Sequence, residues 1–224
     1  AGAPVHVSNA HTLEAIQEVY GHPEILSPSA SLYPHPAGAL LVIDRASRDF
    51  LPPRKGVGLA RKIGADLLLA LVDNGHLESP WLHASDADVR FPADYFEQVD
   101  HPGGANPAAL LYRFRHVSGS DSRAYEAALQ YEISLRYYVL GLRFAGSPYA
   151  FHSIGSTLAI HATAYAAVRG FPRREAAEDF YLLNKIAKLG GVEQLSGEAL
   201  RLSSRTSSRV PFGTGAGIRR LLEA

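Results

Sequence analysis

WLHASDADVRFPADYF, Trp81–Phe96, is the stretch on which the reading of this chain turns. Apolar and small residues run into Asp86 and Asp88, one residue apart, and a proline follows at Pro92. Ionised carboxylates rarely end a buried strand without a positive partner, because desolvating them is expensive. The stretch looks like the end of a buried strand, so both acids fall at its carboxyl end, where open α/β sheets gather their sites.

Outward from this stretch, strand-like and helix-like segments alternate. Upstream, ALLVI at Ala39–Ile43 is a continuous apolar run ending at Asp44, the pattern of a strand buried on both faces. The Gly-containing segment RKGVGLARKIGAD opens a helix from about Val57 to Asp73, whose Val57, Ala60, Ile63, Leu67 and Leu71 recur at helical spacing. Downstream come a strand near Leu110–Val117, a long helix from Ser122 to about Phe144, and a strand over Gly155–Ile160. One helix then ends at Gly170, and another spans about Ala177 to Leu189. At the start, a weak strand over Val5–Ser8 precedes a helix from Thr12 to Tyr20, and the Pro/Ser-rich Ser27–Pro36 reads as a loop. The basic, Gly-containing tail ends in a helix. Strands alternating with helices predict an α/β fold with a mostly parallel sheet flanked by helices. The expectation is a single domain over 1–224.

Composition narrows the class. Hydrophobic residues make up 46% of the 224 and charged ones 20%, an ordinary globular balance. Lys+Arg and Asp+Glu both number 22, and this neutrality argues against a nucleic-acid partner. Cysteine is absent, so thiolate metal sites and a cysteine nucleophile are excluded. No transmembrane run or signal-peptide pattern stands out, and the expected location is cytoplasmic, with peripheral membrane contact left open.

Each candidate constellation has a functional and a plain reading. Asp86 and Asp88 can chelate a hard divalent cation together with waters and phosphate oxygens, or they can be a turn cap and a solvated acid. The Gly-rich helix start, with Lys55, Arg61 and Lys62, can attract phosphate, or be only a helix start. It is neither a dinucleotide fingerprint, since Arg61 occupies the third glycine position, nor a P-loop. Glu178 and Asp179, in the first turn of a helix, can supply a general base or complement the helix dipole. Arg205 and Arg209 can grip phosphate from a loop or be solvated. His83 and His152 can complete a metal shell, contact an acceptor, or be structural.

The ordered set KGVGLARKIGAD, WLHASDADVRFPADYF and GSTLAIHATAYAAVRGFPRREAAEDFYLLNKIAKLG resembles family 2 glycosyltransferases of the GT-A (Rossmann-like) fold, over about Ala39 to Gly190. The resemblance implies that the Asp-x-Asp, here Asp86 and Asp88, binds Mn²⁺ or Mg²⁺ and the diphosphate of a UDP- or GDP-linked sugar; His152 is a further candidate ligand on its own chemistry. It implies that Asp179 is the base of an inverting transfer, with Glu178 second, and that Asp44 and Arg61 meet the nucleotide. Gly155 and Ser156 would line the donor sugar; Arg205 and Arg209 lie outside the resembling segment and stand as nucleotide-sugar-binding candidates on their charge alone. About 1–117 would form the nucleotide-sugar half and about 118–224 the acceptor half. The acceptor is unknown. At its start the sequence departs from the family pattern: only VHVSN resembles the usual first strand, so a strand is missing or the branch is divergent. A nucleotidyltransferase, a glycoside hydrolase and a non-catalytic sugar-nucleotide-binding module are the alternatives.

Overall fold

The structure is a computed structural model and describes residues 7–52, 55–100, 103, 106–206 and 213–223. The chain divides into two compact units, Ala1–Gly56 and Val57–Ala224.

In the first unit, helix α1 (Ser8–Tyr20) is followed by strands β1 (Glu24–Ser27), β2 (Ala30–His35) and β3 (Gly38–Ile43) in an antiparallel sheet of order β1-β2-β3. Part of the Pro/Ser-rich segment read as a loop is therefore the central strand. Its proline is tolerated because β1 pairs only with Ala30–Leu32, so Pro34 has the one neighbour Ala39. β3 is half-buried at most, not covered on both faces. Of the strand expected over Val5–Ser8, Val5 and His6 lie outside the described residues, Val7 is in a turn and Ser8 already begins α1.

The second unit holds helices α2 (Gly56–Asp73, entering from the boundary), α3 (Ser122–Phe144), α4 (Ala162–Ala167), α5 (Glu178–Ile186) and α6 (Thr214–Glu223). Its strands are β4 (Trp81–Ala84), β5 (Ala109–Leu111), β6 (Phe114–Val117), β7 (Leu158–His161), β8 (Val192–Gln194) and β9 (Leu200–Ser203). The main sheet has the order β4-β7-β5-β8, and β6 pairs with β9 in a separate parallel ribbon. β7 runs antiparallel to both β4 and β5, and only β5–β8 is parallel within the sheet. The expected mostly parallel, GT-A-like Rossmann sheet is thus incorrect: the sheets are small, mixed and largely antiparallel. Alternating strands and helices give a parallel sheet only when each crossover brings the next strand back in the same direction. Here β7 arrives late, runs backwards and inserts between β4 and β5.

Central strands β5 and β7 are covered on both faces, which is why both read as unbroken apolar runs. Leu158, Ile160, Leu182, Leu183 and Ile186 build one side of the core, while Leu110, Tyr112, Phe114, Ala159 and Leu200 build the other. α3 begins where the Asp121 carboxylate accepts the N–H groups of Arg123 and Ala124, at 2.9 and 3.2 Å. α6 packs on α3, and a methyl built on Gly217 would lie 2.6 Å from the Tyr131 ring. Among the described residues no helix is long and apolar enough to cross a membrane.

Candidate active site

The carboxyl end of β4, the turn before β7 and the start of α5 meet around one side chain from α2. Arg61 donates from Nε to Glu178 Oε1 at 3.0 Å and from Nη2 to Asp86 Oδ1 at 2.6 Å. Its Nη1 donates to the Gly155 carbonyl at 2.7 Å and, at 3.4 Å, to that of Ser85. The guanidinium fork joins four backbone segments that sequence alone leaves far apart. It reaches from the buried Glu178 to Asp86, whose side chain is 51% exposed.

Asp88 takes the second cation: Arg205 Nε lies 2.6 Å from its Oδ2, just beyond the end of β9. The charge at the end of the opening motif is therefore answered by two arginines, one per aspartate. Arg209 lies outside the described residues.

Local backbone explains why the segments close so tightly. A methyl on Gly155 would stand 2.9 Å from Arg61 Nη2 and 3.3 Å from Asp179 Oδ2, so only glycine lets the guanidinium sit there. Ser156 is buried, and its carbonyl accepts the Ser85 hydroxyl at 3.0 Å, locking the ends of β4 and β7 together. The glycine of the α2 entry serves packing: a methyl on Gly58 would lie 2.5 Å from the carbonyls of Pro172 and Arg174, and its N–H donates to Arg174. That N–H is thus already used by the protein.

Glu178 and Asp179 open α5 immediately after Ala177, which sits in the left-handed region at φ +58°. A non-glycine residue there is strained, and such strain concentrates at functional sites. Burial pushes the Glu178 carboxyl above its ordinary range, helped by the Asp179 charge and opposed by Arg61. Burial likewise raises Asp179, against the N–H of Phe180 and the charge of Arg61. The Asp179 Oδ1 accepts that N–H at 2.7 Å. A carboxylate held above its usual range is a stronger base than one in water.

Other candidates have separate surroundings. Asp44, in the first unit, caps a turn by accepting the N–H groups of Ala46 and Ser47, both at 2.8 Å. Burial would raise its carboxyl, but those N–H groups hold it below the ordinary value. His152 packs edge-on to Phe114 and lines a cavity with Arg136 and Arg143. Burial, then those two arginines, lower its imidazole. His83 is buried in an aromatic cluster with Tyr95, Phe96 and Tyr112, and burial pulls it down to about 4. The Tyr112 hydroxyl donates to the Tyr95 carbonyl at 2.8 Å, so His83 Nδ1, 3.0 Å away, must be its donor.

Among the described residues no three or more His, Asp or Glu side chains are grouped to hold an ion. Mg²⁺ and Mn²⁺ nevertheless bind through one or two carboxylates, completing their shells with water and phosphate oxygens. Asp86 and Asp88 offer hard oxygens, are solvent-accessible and use one oxygen each on an arginine, so this donor set fits such an ion.

No protein-family model, curated protein or solved structure matches this chain. Ser85 and Ala177 are the site residues that sequence reading missed. Ser85 had only its place beside Asp86 to mark it, and a left-handed alanine leaves no sequence signal.

Proposed function

We propose that this protein is a metal-dependent, inverting glycosyltransferase, moving a sugar from a UDP- or GDP-linked donor to an acceptor hydroxyl. The observation that supports this most is the Arg61 guanidinium bound at once to Asp86, the Gly155 carbonyl and Glu178, with Asp179 beside Gly155. When ionised, Asp86, Asp88, Glu178 and Asp179 carry two more charges than Arg61 and Arg205 offset. A divalent cation matches that excess, held by Asp86 and Asp88.

In such a transfer Arg61 and Arg205 oppose the charge of the donor diphosphate. Once bound, Mg²⁺ or Mn²⁺ supplies further stabilisation of the departing nucleoside diphosphate. Asp179 takes the proton of the acceptor hydroxyl as its oxygen bonds to the anomeric carbon and the carbon–phosphate oxygen bond breaks on the opposite face. That displacement inverts the anomeric centre and needs no covalent enzyme intermediate.

Calorimetric titration with UDP and GDP, with and without Mn²⁺, tests the reading. The expected result is metal-dependent binding of one nucleotide, lost in Asp88→Ala. Failure of both to bind in either condition overturns the proposal. Asp179→Asn is expected to bind the nucleotide while losing transfer, and equal binding without transfer in the native chain would mark a sugar-nucleotide-binding module instead.

A further inference from the structure

Arg90, Arg201 and Arg115 stand in a row across three neighbouring backbone segments. Arg115 of β6 pairs with Arg201 of β9, and Arg90 forms an antiparallel bridge to Arg201 with N–H···O bonds of 3.0 Å in both directions. Residues paired directly across strands share a face. Phe114, His116, Leu200 and Leu202 are buried while Arg115 and Arg201 are exposed, so the arginines occupy the outward face.

Like charges directly opposite one another destabilise a sheet, and this row has little to offset them. Glu198 takes Arg201 at 3.0 Å. Among the described residues Arg90 and Arg115 have no acidic partner. Glu132 lines the same surface, but both its oxygens are committed. Oε2 accepts the backbone N–H and Nδ1–H of His116 at 2.9 and 2.8 Å, and Oε1 accepts Arg136 at 2.6 Å.

The row lines an open cavity of about 380 Å³ together with Tyr125 and Glu132 of α3. The same segments carry the Asp88–Arg205 pair: Arg90 follows Asp88 by two residues, and Arg201 precedes Arg205 by four. Two residues span at most about 7 Å, so the cavity adjoins the candidate metal and diphosphate seat. Guanidinium forks match the oxygens of a phosphate in pairs, which lysines do not.

We propose that this cavity binds a phosphate group carried by the acceptor, through Arg90, Arg115 and Arg201. The phosphate site follows from the arginine row, while its assignment to the acceptor rests on the transferase reading above.

The experiment is calorimetric titration with inorganic phosphate and with glycerol 3-phosphate, against sodium chloride at matched ionic strength. Native chain, Arg115→Gln and Arg90→Gln are compared, each also titrated with UDP or GDP plus Mn²⁺. Expected is phosphomonoester binding tighter than inorganic phosphate, weakened at least tenfold in both variants, with nucleotide binding unchanged. Neither variant should melt below the native chain in low salt, since each relieves repulsion. Equal response to phosphate and chloride, or undiminished phosphate binding in both variants, overturns the site. Tighter inorganic phosphate, or nucleotide binding lost along with phosphate in the variants, overturns the acceptor assignment. If phosphate binding depends on the arginines but no nucleotide binds the native chain, the phosphate site stands and the transferase reading falls.

Discussion

Arg61 and Glu178, 117 residues apart in sequence, meet at 3.0 Å with side chains only 10% and 6% exposed. A buried pair of this kind contributes little net stability compared with an apolar pair, yet removing one partner strands a charge. Replacing Arg61 by alanine is therefore expected to destabilise the fold by about 3–5 kcal/mol. Urea denaturation checks this. A loss under about 1 kcal/mol would show that water reaches Glu178 readily. Arg61→Ala with Glu178→Gln should recover part of the loss, because the stranded carboxylate is gone.

Asp179 and Glu178 also set an acid-side pH dependence. Both are raised in the folded chain above ordinary values of 3.8 and 4.5, so the folded state binds their protons more tightly than the unfolded one. The stability they contribute is fully present below about pH 4 and is lost as pH rises through their folded values. Asp179→Asn should then be more stable than the native chain near pH 7, with the advantage shrinking towards pH 4. Melting temperatures of both proteins across that range decide it. A constant difference at every pH would refute the raised carboxyl.

Glu132 has the opposite sign. Burial would lift its carboxyl, but His116 and Arg136 outweigh that and bring it from 4.5 down to about 2. Its stabilisation is present above about pH 4.5 and is lost as pH falls towards 2. Glu132→Gln should cost about 1.5–3 kcal/mol at neutral pH, the range for hydrogen bonds to a charged group. Its penalty should fade in acid, as read from denaturation midpoints at pH 7 and pH 3.

Gly155→Ala tests the closeness of the site. The added methyl, 2.9 Å from Arg61 Nη2, would push the guanidinium out of its fork. The expected cost is about 1–3 kcal/mol, with weakened nucleotide binding. Gly64→Ala on the same helix as Arg61 meets nothing within 4 Å and is the control, expected to be neutral or stabilising. Equal effects of the two would remove the steric argument.

Much of the local structure was legible. α3 was bounded by Ser122 and Phe144, and a strand did end within the opening stretch ahead of Asp86. The chemistry-bearing residues were also visible as types: two aspartates at a strand end, an acidic pair opening a helix, an arginine near a helix start. Less visible was which arginine answered which acid, since Arg61 and Arg205 lie 25 and 117 residues from Asp86 and Asp88. Gly58 shows the limit sharply. A glycine at a helix start reads as a phosphate cradle, but here it admits the backbone of Pro172 and Arg174.

By itself the sequence determined the α/β class of elements and the inventory of charges, while the one strand it marked as buried on both faces, β3, is half-buried at most. Only the tertiary structure decided that β7 runs backwards between β4 and β5, and that Arg61 closes on Asp86, Gly155 and Glu178 together. The physical reason is the same for both. Side-chain periodicity records how much of a strand or helix is buried, but neither the identity nor the direction of the neighbour that buries it.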